Sequence, residues 1–301
     1  LYQVENEIIF KMKKILNFLR KIIPKPILVL YHYFLSFIFA LLNGYPSKKI
    51  IVVGITGTKG KTTVSYLTYF LLKNLGIKTA LSSSEFFFIG DKKIENKTRL
   101  TMPGRGFLQK FLKEAVLNKC EVAILEITSE GLAQFRHSFI DFDVAVFLNL
   151  HPEHIESHGS YEAYRRAKGK LFKALEKSKE KKFLRGTKIK KTIIVNADDF
   201  EADYYLGFRA EQKITFSLES GLAESQFNLK PSAYKISSKG IEFNLEGKKF
   251  FSPLLGKFNL DNILASLSIL KALNLPINNI ESAIKEFKGL PGRMEIISAK
   301  G

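Results

Sequence analysis

Apolar residues gather along the chain in short, β-branched blocks separated by longer stretches of helical periodicity. The blocks lie near residues 50–55, 79–82, 121–127, 143–148 and 192–196. Few polar side chains interrupt them, as expected of strands buried on both faces. Between them, Val64, Leu67, Phe70 and Leu71 recur at helical spacing, and Tyr161, Tyr164, Lys168, Leu171 and Phe172 share related turns of another helix. Strands alternating with helices predict an α/β fold: a mainly parallel, doubly wound sheet with helices on both faces. From 213 to 252 the pattern turns strand-like (ITFSL, FNLKPSAYKI, GIEFNL, KKFFS), with Gly240 and Gly247 at turns. That stretch predicts a small antiparallel side sheet. Residues 260–273 and 278–288 read as closing helices, the first ended by Asn274 and Pro276.

The amino-terminal pattern differs. A basic stretch over 11–25 precedes an apolar run over 26–45, PILVLYHYFLSFIFALLNGY. A secretory signal has a shorter apolar core and a small-residue cleavage site, whereas this run continues into Asn43-Gly44-Tyr45-Pro46. Residues 27–42 supply sixteen positions around His32, against the roughly 20 that cross a bilayer. Three readings stand: a helix packed on the protein's own core, an interfacial membrane anchor with basic flanks, and a true span. A single span with basic residues before it tends to leave the downstream chain outside.

The motif that follows is Thr56-Gly57-Thr58-Lys59-Gly60-Lys61-Thr62-Thr63, joining the 50–55 strand to the helix carrying Val64 and Leu67. Strand, glycine turn, Gly-Lys-Thr and helix make a P-loop arrangement. Glycines let backbone N–H groups approach phosphate oxygens, and a helix amino end adds positive potential. Lys61 can reach the β- and γ-phosphates, and the Thr62 hydroxyl can ligate Mg²⁺. The strict pattern places Gly six residues before the lysine; here that residue is Ile55, with Gly54 one position further back. A dinucleotide-binding turn is disfavoured, since G-x-G-x-x-G is absent.

Two further strand ends carry chemistry. The 121–127 strand ends at Glu126, followed by Thr128-Ser129-Glu130-Gly131-Leu132, Gln134 and Arg136. A carboxylate at the carboxyl end of a parallel strand lies where ligands bind in such sheets, so Glu126 can hold Mg²⁺ opposite Thr62 or be an ordinary strand-end glutamate. The 143–148 strand delivers Asn149-Leu150-His151-Pro152-Glu153-His154-Ile155-Glu156-Ser157-His158. This cluster can bind metal, transfer protons or cap a helix; it matches no zinc spacing.

Composition narrows the picture. The 301 residues are 46% hydrophobic and 25% charged, which is globular rather than disordered. One cysteine, Cys120, excludes an intrachain disulfide framework. The net charge of +18 invites a polyanion reading, but the excess is local: eight basic and two acidic residues over 1–49, nine and two over 173–191. Such runs are expected to be solvated surface, and without an RNP-like motif or zinc-finger spacing no nucleic-acid partner is expected.

Together these pieces resemble the Mur ligase family, ATP-dependent amide-forming enzymes of peptidoglycan precursor synthesis. The resemblance is carried by GITGTKGKTT (54–63), EITSEGLAQFR (126–136), NLHPEHIESHGSYEAYRRAKGKLF (149–172), NADD (196–199), GKFNLDNILAS (256–266) and LPGRME (290–295). Within the family, the HG…Y…AK…LF pattern and PGRME are most similar to members that add the third amino acid to UDP-N-acetylmuramoyl-L-alanyl-D-glutamate. The resemblance implies a P-loop-containing ligase of the EC 6.3.2 type using ATP and Mg²⁺, with that UDP-muramoyl peptide and an amino acid as partners. The dipeptide carboxylate would be phosphorylated to an acyl phosphate, which the amine attacks. It further implies that Gly57, Thr58, Gly60, Lys61, Thr62, Thr63, Asn149, Asn259, Asn262 and Arg293 meet ATP, with Asp198 in a nucleotide-side loop. Thr62, Glu126, His154 and a carbamylated Lys168 would serve the metal, Lys61, Glu126, His154 and Lys168 the catalysis, and Thr101, Thr128 and Arg136 the muramoyl substrate.

Departures from the family pattern are Lys59 for its Asn, Glu153 for its Asp, Met102 for the second Thr of Thr-Thr-Pro, and Thr128 for a Ser. The expected organisation is a basic, apolar segment over 1–47 in place of the UDP-binding domain, an ATP-binding domain over 48–292, and 293–301 as the start of a carboxyl-terminal domain that the sequence does not reach. Either the sequence is a piece of a longer protein, or a separate chain provides that domain. The expected location is the cytoplasm, with residues 11–45 making peripheral contact at the inner membrane face. Alternatives are a poly-γ-glutamate or folylpolyglutamate synthase on the same ATPase core, and a non-catalytic, partner-dependent ATP-binding module.

Overall fold

The computed structural model describes residues 25–290 apart from 97, 105, 154, 180, 182–185, 220–224 and 278–279. Helix α1 (Lys25–Leu42) leads through a 3₁₀ turn (Pro46–Lys49) into β1 (Ile51–Thr56). Then come α2 (Lys61–Asn74), β2 (Thr79–Ser82), β3 (Phe86–Ile89), β4 (Lys92–Glu95), α3 (Phe107–Leu117), β5 (Val122–Glu126), α4 (Ser129–Ala133) and β6 (Val144–Phe147). They are followed by α5 (Ile155–His158), α6 (Tyr161–Lys177), β7 (Thr192–Asn196), α7 (Ala202–Leu206), β8 (Gln212–Phe216) and β9 (Phe227–Leu229). A meander of β10 (Ala233–Ser237), β11 (Gly240–Leu245) and β12 (Lys248–Ser252) precedes α8 (Lys257–Ala272) and α9 (Glu281–Glu286).

Nine strands form one sheet in the order β4-β3-β2-β5-β1-β6-β7-β8-β9. It is parallel from β2 to β9, while β3 and β4 extend one edge antiparallel. The sequence pattern foresees five of these strands and their parallel pairing. It places 213–252 wholly in a side sheet, whereas β8 and β9 continue the main sheet and only β10–β12 form the antiparallel one. The reason is burial: Ile214 and Phe216 are enclosed, as a two-sided sheet position requires, while β10 is exposed throughout.

Strand β1 sits between β5 and β6, where the chain order reverses, so its carboxyl end opens into the crevice used by ligands in open α/β sheets. Its alternate side chains feed two cores. Ile51, Val53 and Ile55 pack with α2 and α8 residues such as Leu67, Leu71 and Ile263. Val52 faces the other side with α3 and α6 residues such as Leu112, Leu171 and Phe172. Gly54 lies on that second face. A Cβ there would stand 2.8 Å from Leu171 Cδ1 and 2.9 Å from Phe142 Cε1, so glycine lets α6 approach β1.

The lysine-rich stretch over 173–191 is not wholly solvated, contrary to its composition. Lys181 and Lys191 are buried and converge on Asp143, which is fully enclosed. Lys181 Nζ lies 2.6 Å from Asp143 Oδ2 and Lys191 Nζ 2.8 Å from Oδ1; Val52 N donates to Oδ2 at 2.8 Å. One carboxylate thus joins β1, β6 and the approach to β7. Burial pushes the Lys181 amine down to about 8 despite the nearby Asp143.

Helix α1 packs on the protein along one stripe, with His32, Ser36 and Ala40 buried. Ser36 Oγ donates to Phe135 O at 2.9 Å, and Phe39 lies where a Cβ on Gly106 would intrude. The reading of a helix packed on the protein's own core therefore holds for this face. Among the described residues no helix is long and apolar enough to cross a membrane.

Candidate functional site

The 57–60 loop turns tightly because two positions exclude side chains. Gly60 has φ 83°, and a Cβ there would stand 2.5 Å from Asn262 Oδ1; on Gly57 it would stand 2.9 Å from Leu148 Cβ. Left-handed backbone at Gly60 turns the chain into α2, whose first turn holds Lys61, Thr62 and Thr63. Lys61 Nζ donates to the Gly57 and Thr58 carbonyl oxygens, both at 2.9 Å. Asn149, at the end of β6, braces the loop: its Oδ1 accepts from Thr58 N (3.0 Å) and Lys59 N (2.8 Å), and its Nδ2 donates to Lys59 O (3.1 Å).

Glu126 meets Thr62 because β5 and β1 are parallel and in register, with Ile55 opposite Glu126. Thr62 Oγ1 lies 3.2 and 3.3 Å from the two carboxylate oxygens. Both residues are buried. Ser84 completes the group, its Oγ 3.2 Å from Thr62 Oγ1 and its N–H donating to Glu126 Oε2 at 3.1 Å. Sequence reasoning missed Ser84. Its signal was the Ser82-Ser83-Ser84 run at the carboxyl end of β2, which is β5's other neighbour. A carboxylate and two hydroxyls are a hard oxygen set of the kind Mg²⁺ prefers.

Lys168 is buried on α6, one turn before Leu171. Its Nζ donates to Gly57 O at 2.9 Å and lies 4.6 Å from the Tyr164 ring centroid. Burial, with Lys61 adding to it, pushes the amine well below the ordinary lysine range. Tyr164 OH is 3.2 Å from Thr58 Oγ1, so α6 contacts the loop at two points. Composition alone had no means of separating Lys168 from surface lysines.

On the other side of the loop, a cleft of about 300 Å³ opens between Gly60, Asn149, Asn196, Phe258, Asp261 and Asn262. Asn262 Nδ2 donates to Asn259 Oδ1 (3.0 Å), and Asn259 Nδ2 to Leu255 O (2.8 Å), so the two asparagines order each other at the amino end of α8. Asp198 shares the cleft and accepts from Leu218 N at 2.5 Å. Burial, and next the charge of Asp198, push the Asp261 carboxyl up to about 7. Sequence reasoning misses Asp261 and Phe258, although both lie inside GKFNLDNILAS.

The three residues expected at the muramoyl substrate meet around Met102. Its sulfur lies 3.4 Å from Thr128 N, and its carbonyl accepts from Arg136 Nη1. Thr101 precedes it, and Met102 itself is buried. Thr128 caps α4, its hydroxyl accepting from Gly131 N at 3.2 Å. Two other departures pair with each other: Lys59 Nζ lies 3.1 Å from Glu153 Oε1. Both ends are exposed, and such pairs contribute at most about 1 kcal/mol. His154 and Arg293 lie outside the described residues.

Residues 55–270 match the family described as the Mur ligase middle domain. The chain is 36% identical over 267 residues to the UDP-N-acetylmuramoyl-L-alanyl-D-glutamate–2,6-diaminopimelate ligase of Helicobacter pylori, covering 86% of this chain and 55% of that one. It is 36% identical over 259 residues to the UDP-N-acetylmuramyl-tripeptide synthetase of Borreliella afzelii, covering 84% and 48%. A solved UDP-N-acetylmuramoyl-L-alanyl-D-glutamate–2,6-diaminopimelate ligase superposes with a TM-score of 0.70 at 28% identity, covering 83% and 49%. The chain thus spans about half the length of these relatives.

Proposed function

The chain belongs to the Mur ligase family, and from that premise we propose that residues 48–292 are its ATP-binding unit and activate the carboxylate of a UDP-N-acetylmuramoyl dipeptide for amide formation. The observation that carries this reading is the convergence of Lys61, Lys168, Thr62 and Glu126 on one end of β1.

The dipeptide carboxylate oxygen attacks the γ-phosphorus of ATP, ADP leaves, and an acyl phosphate forms. An amino-acid amine then attacks the acyl carbon, an amide forms, and phosphate leaves. Lys61, already aimed into the loop, swings to the phosphate oxygens and offsets charge as it shifts toward ADP. Asn149 keeps the loop open while α8 and Asn262 hold its far side. Arg136, beside Thr101 and Thr128, pairs with a substrate anion. Thr62, Glu126 and Ser84 would hold Mg²⁺, with His154 and a carbamylated Lys168 as candidates for a second ion. Bound there, Mg²⁺ supplies charge neutralisation for the phosphates. A neutral, enclosed amine at Lys168 is the form that adds CO₂.

On this reading the choice of the incoming amino acid and the hold on the UDP group fall to residues outside 48–292. Residues 11–45 make the peripheral membrane contact. The test is ADP release by purified protein with Mg²⁺, UDP-muramoyl dipeptide and candidate amines, against folate and glutamate as acceptors. ADP release that needs the muramoyl dipeptide and disappears in Lys61→Ala is expected. Turnover unchanged in that variant, or specific for folate or glutamate, overturns the assignment.

A further inference from the structure

A cavity of about 510 Å³ lies away from the phosphate loop, between α1, residues 135–141 and α6. One wall is aromatic: the Tyr33 ring stands 5.7 Å from Phe135 and 5.1 Å from Phe139. Facing it are Lys170, Lys173 and Lys177, which share one face of α6. Among the described lining residues Asp141 is the sole carboxylate; its Oδ1 accepts from Lys179 N at 3.4 Å. His137 is 7% exposed, and its Nδ1 is buried with no hydrogen-bond partner. Burial, with Lys170 adding to it, pushes this imidazole down to about 3.

Helix α1 borders this cavity and is uncharged on every face beyond Lys25. No charged residue occurs from 26 to 47, with Lys25 before and Lys48 and Lys49 after. Opposite its packed stripe, Ile27, Leu30, Phe34 and Leu41 are 56–67% exposed. Among the described residues, eight of the sixteen exposed large hydrophobic side chains are on α1, so this face is concentrated apolar surface rather than scatter. A second copy would bring the same lysines against each other in a chain already at +18. A soluble anion would fill the cavity and leave the apolar face in water. A bilayer with anionic headgroups meets both features.

We propose that α1 and this cavity form a docking surface for an anionic phospholipid bilayer, with α1 in the interface and one lipid phosphate held among Lys170, Lys173 and Lys177. This rests on the membrane contact read for residues 11–45 and adds a headgroup site to it; the ligase reading stands apart. The test is co-sedimentation of the full chain with phosphatidylcholine vesicles, with and without phosphatidylglycerol. Binding at least tenfold tighter to the anionic vesicles is expected. Lys173→Glu/Lys177→Glu, both exposed, should lose that preference, whereas Lys235→Glu/Lys239→Glu on the distant side sheet should keep most of it. Phe34→Asp should bind neither vesicle, with thermal midpoints unchanged throughout. Equal binding of the wild type to both vesicles, or equal loss in the two lysine pairs, overturns the headgroup site and leaves the α1 contact standing. Binding to neither vesicle overturns both, as does a dimer that Phe34→Asp dissociates in a protein that ignores vesicles.

Discussion

Lys168 donates its Nζ to the carbonyl oxygen of Gly57 at 2.9 Å, across 111 positions of sequence. The contact exists because Gly54 lets α6 lie against β1, and it fixes a buried amine at the 57–60 loop. Several consequences can be measured.

Gly54→Ala should destabilise the protein by about 1–3 kcal/mol, since the new methyl meets Leu171 and Phe142 inside van der Waals distance. Urea unfolding reads the loss. Because α6 is displaced with Leu171, Lys168 moves from the loop as well, and ATP turnover should fall beyond what the residual folded fraction explains.

Lys168 has its folded-state pKa lowered, chiefly by burial. The unfolded chain then holds a proton that the folded one has released, so this residue makes stability rise with pH until the ordinary lysine range is reached. Lys168→Met should raise the thermal midpoint at neutral pH and flatten that rise, while abolishing ligase turnover. With ¹³C-bicarbonate the wild type should give a carbamate resonance that the variant lacks.

Glu126→Gln should lower Mg²⁺-dependent ATP turnover by about a hundredfold or more, removing the sole carboxylate of the Thr62 group. Ser84→Ala is milder. Its N–H still holds Glu126, so about a tenfold higher Mg²⁺ requirement with kcat largely kept is expected, read from Mg²⁺ titrations of turnover.

Asp261 has its folded-state pKa raised to about 7. Between the ordinary carboxylate range and pH 7 the folded state binds the extra proton, so this residue costs stability progressively as pH rises through that window. Asp261→Asn should match the wild type in thermal midpoint near pH 4, exceed it increasingly up to pH 7, and hold a constant advantage above.

Asp143→Asn leaves Lys181 and Lys191 buried without the carboxylate they share. A loss of about 3–5 kcal/mol in urea unfolding is expected, recovered in large part by adding Lys181→Met and Lys191→Met.

Periodicity and motif spacing carried the parallel core, the glycine loop and the strand-end Glu126, and the resemblance of six short motifs carried the family. Each of these depends on residues close in sequence, where local pattern reports secondary structure directly. Tertiary approach decided the rest. Ser84 joins Thr62 and Glu126 only because β2 pairs with β5. Three lysines of ordinary appearance, Lys168, Lys181 and Lys191, are buried because α6 and the edge of β7 close over Gly57 and Asp143. The Lys59–Glu153 pair and the place of Met102 between Thr128 and Arg136 follow from loops meeting above the sheet. A side chain's composition is the same on a solvated face or in a core. Its desolvation and its partner are properties of distant elements brought within a few ångströms, and these are what set the charge, proton affinity and reach of the site.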